Sequence, residues 1–322
     1  MKKLLCILLL ASTLVGCANQ SSDETVNSKE TITIQSYNGN NELIDLEVPY
    51  DPKRIAILDM ASLDIIDALG LGNRVIGSAS TTIDYLQDYV PSSSNGIANL
   101  GTIKAADLVE VATSEPDIIF IGGRLSNVYD DLSQIAPVVY LKADVKLGVV
   151  ESVRNNASVI ASIFGKESEV DKMFASFKDR ISAIVDEFAG EKAIVGMYSG
   201  SSFNILGNDG RSSIIGKELG FDNIGISTSE TSATHGNEVS WEGIVTLNPT
   251  YMFVLDRNSA ISSTEGNPAV RDVIENELIK ELDVYKNGNI IYLENPNVWY
   301  TAEGGIQALD VMLKDIEIAL FK

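Results

Sequence analysis

The stretch ESEVDKMFASFKDRISAIVDEF, residues 167–188, decides how the rest of the chain is read. Its apolar residues fall at Val170, Met173, Phe174, Phe177, Ile181, Ile184, Val185 and Phe188. Steps of three and four along twenty-two residues give a helix with one apolar face, roughly 33 Å long. Ser168 is placed to cap its start, with Glu169 and Asp171 in the first turn and Gly190 to end it. On either side, short apolar runs alternate with helical patterns, which argues for mainly parallel sheets with helices on both faces. The chain therefore reads as α/β, with two lobes joined by one long helix and a ligand cleft between them. An ordinary amphipathic helix inside a single domain would give the same local pattern. The expected boundaries are a first lobe over 31–145, a helical connection over 146–190 and a second lobe over 191–322.

Residues 1–17 stand apart from this core. Lys2 and Lys3 precede the apolar run from Leu4 to Leu10, and Leu14-Val15-Gly16-Cys17 ends it. That is the charged, apolar and small-residue order of a signal peptide, with Cys17 as the expected lipidation site. Residues 18–30 are polar and read as a flexible tether. Cys6 would leave with the signal, so a disulfide is not expected.

Formal net charge is −21, and losing Lys2 and Lys3 takes the mature chain to −23. This excludes nucleic acid and an anionic membrane surface as natural partners. Membrane attachment is expected through the lipid alone, with a monomer beyond it. An anionic ligand would need arginines gathered at one place.

In the first lobe, strands are expected at 53–58, 74–77, 117–121 and 137–141, with helices at 61–69, 105–113, 127–135 and 149–164. In the second, strands are expected at 193–198, 202–206, 251–255 and 289–293, with helices at 213–219, 241–247 and 304–320. A faint repeat links the lobes. EPDIIFIGGR at 115–124 matches NPTYMFVLDR at 248–257 in its proline, its apolar strand, and an arginine eight residues after the proline. Arg124 and Arg257 are thus expected just past the carboxyl ends of corresponding strands, where open α/β sheets bind ligands.

His235 is the only histidine. A structural zinc site is excluded on that count. No G-x-G-x-x-G, P-loop or G-x-S-x-G motif is present. A secreted serine hydrolase using Ser201 or Ser202 with His235 remains a distant alternative.

Taken together, Arg124 in GGRLSNVY, Arg211 in GNDGRS, His235 in ATHGNEVSWE, Arg257 in FVLDRNSA and Tyr300 in NVWYTAEGG form a recognisable set. The set resembles the substrate-binding lipoproteins of bacterial iron–siderophore ABC transporters, in the catecholate branch that includes petrobactin-binding proteins. The resemblance implies the class III periplasmic-binding-protein fold: two Rossmann-like lobes joined by a single rigid helix. It implies capture of a ferric catecholate-type siderophore outside the cytoplasm, delivery to an ABC permease, no catalysis and no intrinsic cofactor. A lipid-anchored Gram-positive surface protein fits it. Arg124, Arg211, Arg257 and Trp299 would contact the catecholate ligand. His235 and Tyr300 would ligate its ferric iron where the siderophore leaves positions open. Asp64 and Glu218 would be the carboxylates that dock to the permease. Glu303 departs from the pattern, where relatives tend to be small or polar, and Asp209 stands close in sequence to Arg211. Haem, cobalamin or another iron chelate is the nearer alternative ligand.

Overall fold

The computed structural model describes residues 30–144, 146–225, 236–261 and 269–322. The Glu167–Phe188 helix forms over the expected residues and buries Val170, Phe174, Phe177, Ile184 and Phe188. Its start differs from expectation. Ser168 lies inside the first turn and donates to Glu169 at 3.0 Å instead of capping. Glu167 and Glu169 face the positive end of the helix dipole there.

Before this helix lies a sheet of five parallel strands, in the order Ala98–Asn99, Val75–Ser78, Ile55–Leu58, Ile118–Ile121, Val138–Tyr140. Every side chain of Ile55–Leu58 and Ile118–Ile121 is buried, as a sheet covered on both faces demands. After it lies a second sheet, in the order Asn237–Glu238, Ser202–Ile205, Lys192–Ser199, Tyr251–Asp256, Ile290–Tyr292, with Asp222–Asn223 also pairing with Lys192–Ser199. Its centre is parallel, but Ser202–Ile205 and Asn237–Glu238 run antiparallel at the edge. The cause is local. Ser199 pairs directly with Ser202 across Gly200-Ser201, and Gly200 takes φ +64°, a conformation that suits a two-residue hairpin turn.

The repeat has a backbone counterpart. Glu115 and Asn248, each just before its proline, both adopt φ +47°. A left-handed residue followed by proline stops the preceding helix and starts the strand. The hairpin of Thr31–Tyr37 with Leu43–Pro49 was not anticipated, although its alternating Ile32 and Ile34 and the Asn38-Gly39 turn carry a period-two signal.

The closing helix Ile306–Leu320 packs against Met60–Ala68 of the first lobe as well as Val149–Phe164 and Glu167–Phe188. Arg180 fastens the long helix to it. The guanidinium forks onto Glu317 at 2.7 and 2.8 Å and reaches Asp310 at 2.6 Å. A half-buried bidentate pair of this kind outweighs an exposed one. Arg180→Met is expected to cost about 1–2 kcal/mol in urea unfolding.

Candidate functional site

Two consecutive residues of the short Pro296–Thr301 helix point different ways. Trp299 is fully buried, and its indole N–H donates to Asp315 Oδ2 at 2.9 Å. Asp315 also accepts from Asn295 Nδ2 at 2.7 Å and Asn295 N at 3.2 Å. Tyr300, about 100° further round the helix, meets two arginines of the second lobe. Arg211 lies over its ring, 4.1 Å from the centroid, and donates to the Tyr300 carbonyl at 2.6 Å. Arg257 donates from Nε to the phenol oxygen at 2.9 Å and from Nη1 to Ser199 Oγ at 3.3 Å.

Arg257 sits where the sequence places it, opening a short helix directly after the Tyr251–Asp256 strand. Asp256 caps that helix by accepting from Ser259 N at 3.2 Å. Arg124 lies in the turn Gly123–Val128, just past Ile118–Ile121. It is exposed and makes no hydrogen bond to the described residues, yet its charge is felt at both Arg211 and Tyr300. The two lobes thus bring Arg124, Arg211, Arg257 and Tyr300 to one place. Burial works to raise the Tyr300 phenol. The Arg257 hydrogen bond and the charges of Arg211, Arg257 and Arg124 outweigh it, and the phenol is held below its ordinary value. Three guanidinium groups around one phenol make this a place for an anionic partner.

Glu303 stands behind Arg211. Its Oε1 accepts from the Ser212 backbone N–H at 2.7 Å, and Ser212 takes φ +58°. Burial pushes the Glu303 carboxyl up to about 7, against the pull of Arg211 and the Ser212 N–H. The folded state therefore holds a proton that the unfolded chain releases near 4.5, so stability falls as pH rises from about 4.5 to about 7. Asp64, pushed up to about 6 by burial, adds a contribution of the same sign. Glu303→Gln is expected to flatten this part of the profile, by roughly 1–3 kcal/mol, in urea unfolding compared at pH 5 and 7.5. Asp209 pairs with Lys217 at 2.8 Å.

Arg211 of the cluster borders the first of two compartments. One, of about 310 Å³, is walled by Val149, Ser152 and Val153 of the connecting helix and by Arg211 and Glu303. The other, of about 200 Å³, lies between Met60, Ser80 and Thr82 of the first lobe and Ala260, Ile261 and Thr301. Among the described residues no group of three or more histidines, cysteines or carboxylates is arranged to hold a metal ion.

The sequence profile of the periplasmic binding protein family matches residues 55–296. The chain belongs to that family. It is 32% identical to the petrobactin-binding protein YclQ of Bacillus subtilis, over 98% of this chain and 97% of YclQ. It is 26% identical to the ferric-anguibactin-binding protein FatB of Vibrio anguillarum, over 94% of this chain and 92% of FatB. The crystal structure of YclQ superposes with a TM-score of 0.81 at 30% identity, covering 91% of this chain and all of that one. That of VctP, a periplasmic catecholate-siderophore binding protein of Vibrio cholerae, superposes at 0.79 and 28% identity, covering 90% and 100%. The α/β fold expected from the sequence is the fold of these family members.

Other expected site residues are placed differently, or are not described. The Trp299 side chain is not available to a ligand, because the core encloses it; only its carbonyl reaches the site, accepting from Arg211 at 3.4 Å. Asp64 is not a docking carboxylate. It is fully buried and caps the closing helix, accepting from Gln307 N at 2.8 Å and Ala308 N at 2.9 Å. Glu218, the second expected docking residue, is turned inward to the start of the Val149–Phe164 helix. There it accepts from Val150 N at 3.1 Å, and burial raises its carboxyl. Both carboxylates satisfy helix N-termini, which is a stronger demand on a buried acid than solvation. His235 and Cys17, with the signal peptide and residues 18–29 of the tether, lie outside the described residues. Ser199, which steadies Arg257, was missed, because a serine at a strand end carries no distinguishing pattern. Ser202 donates to Glu238 at 3.1 Å.

Proposed function

We propose that this chain is an extracytoplasmic binding lipoprotein, anchored through Cys17, that captures a ferric catecholate-type siderophore in the interlobe cleft. It delivers the complex to an ABC permease as a monomer and catalyses no reaction. The observation that carries the reading is the Tyr300 phenol, with its oxygen on Arg257 and its face under Arg211, in the field of Arg124. The named ligands of YclQ, FatB and VctP support the same class of cargo.

The chemistry follows from hardness and charge. Ferric iron prefers anionic oxygen donors, and a phenolate is one. Binding the metal expels the phenol proton, and a phenol held below its ordinary value gives that proton up at lower cost. The oxygen keeps lone pairs for the Arg257 N–H while it meets iron. Guanidinium groups offer planar charged donors to the catecholate oxygens. Net charge of −23 on the mature chain is no obstacle, because charges more than about 8 Å away are largely screened at physiological salt. His235 is proposed as the second protein ligand. Iron is cargo throughout.

The test is a titration of residues 18–322 with a ferric bis-catecholate, a ferric tris-catecholate, a ferric hydroxamate and haem, read in the visible band of each complex. Tight binding of the bis-catecholate with a displaced charge-transfer band is expected. Binding of haem or the hydroxamate alone would overturn the proposal.

A further inference from the structure

The segment that carries Tyr300 is fastened to the first lobe on both sides. Before Tyr300, Asn297 Nδ2 donates to the Thr82 carbonyl at 2.7 Å. After it, Gln307 N and Ala308 N donate to Asp64, and Gln307 Nε2 donates to Asp67 Oδ2 at 2.7 Å. Tyr85 adds a further donor to Asp64 at 2.6 Å. The Gly304-Gly305 pair permits this approach. A Cβ on Gly305 would lie 2.2 Å from Asp64 Cγ, and one on Gly304 would lie 3.0 Å from the Ala61 Cβ. Arg211 and Arg257 grip Tyr300 from the other side, and Arg257 is itself tied to Ser199 at the end of a second-lobe strand. The phenol therefore stands between a first-lobe anchorage and second-lobe arginines.

We propose that Asp64 is a positioning residue for iron ligation. By capping the closing helix from the first lobe, it sets where Tyr300 stands between Arg124 and the Arg211–Arg257 pair. The proposal rests on the reading that Tyr300 ligates the iron of the cargo. The cap does this work because the closing helix begins at Ile306, six residues after Tyr300, with the two glycines between. The first-turn N–H groups of a helix need acceptors. If they lose Asp64, the first turn must re-seat, and the glycines carry the shift back to Tyr300. A metal ligand tolerates only about 0.5 Å of misplacement. A complex that fills its own iron shell needs only the arginines, so it is indifferent to that shift.

Two variants of the mature chain test this. Asp64→Asn keeps the size but places an N–H₂ donor against backbone donors. Asn297→Ala removes the tether on the other side of Tyr300, at a half-buried position, so a folding failure of the first variant does not end the test. Each is titrated with a tetradentate ferric bis-catecholate and a hexadentate ferric tris-catecholate, alongside thermal unfolding. The expected result is a loss of about 10-fold for the tetradentate complex, with its charge-transfer band returning toward that of the free complex. Hexadentate affinity should change by less than about 2-fold, which is below the 10-fold that 1.4 kcal/mol represents. Equal loss for both complexes, or a lowered melting temperature with both affinities and the band unchanged, would assign Asp64 a structural role only and overturn the proposal. A wild-type chain that binds the bis-catecholate without displacing its band would instead remove Tyr300 ligation, and the proposal with it.

Discussion

Tyr300→Phe is expected to weaken a tetradentate ferric catecholate on the order of 100-fold, at the upper end of what changes around a metal ligand cost. A hexadentate complex should lose only a small fraction of that. The substitution removes one oxygen and nothing else of size. The ring stays under Arg211, whose guanidinium lies 4.1 Å from its centroid and whose Nη1 bonds the backbone carbonyl of residue 300. Arg257 loses its phenol partner but keeps Ser199 at 3.3 Å. The arginine cluster therefore survives, and only one oxygen donor to iron is lost. About 2.7 kcal/mol corresponds to that factor. The effect should also bend with pH. In the parent chain, proton release accompanies ligation, so tetradentate affinity should rise with pH while the phenol still carries its proton. In the Phe variant that dependence should disappear. Isothermal titration of the two chains with both complexes decides the matter. Equal loss for tetradentate and hexadentate complexes would show that Tyr300 acts through packing and not through iron.

Trp299→Ala should act on stability instead. The indole is completely buried and its N–H is satisfied by Asp315, which also holds Asn295. Emptying such a site costs about 3–5 kcal/mol, and Asp315 is left with one donor fewer in a buried place. The urea midpoint should fall by the corresponding amount with little change in slope. Trp299→Phe should cost less, because most of the apolar volume remains and only the hydrogen bond is lost. Under conditions where either variant is folded, affinity for a hexadentate catecholate should stay within a few-fold of the parent. A variant that kept its stability and lost its ligand would restore the indole as a direct contact.

These two neighbours show how far one sequence can be read. The run Trp299-Tyr300 before Thr-Ala-Glu-Gly-Gly marked the place, and the resemblance marked both side chains as functional. Helical geometry dictates that adjacent residues diverge by about 100°, so at most one of them could face the ligand. It does not say which. Asp315, sixteen residues on, settles that by taking the indole N–H.

Apolar spacing and turn residues specify the periodic elements and the punctuation between them. The 167–188 helix forms over its expected residues, as do 149–164 and 241–247, because each carries an apolar stripe at helical spacing. The repeat placed Arg124 and Arg257 past matching strands, because a left-handed residue before proline sets the same helix-to-strand junction in both lobes. Which carboxylates are surface and which are structural is set only once the chain has packed. Asp64 and Glu218 look like any helix acid in the sequence. Their burial depends on helices that begin far along the chain, at Ile306 for one and Val149 for the other. The unsatisfied N–H groups at those helix starts draw the carboxylates inward, and no local spacing records which helix will arrive.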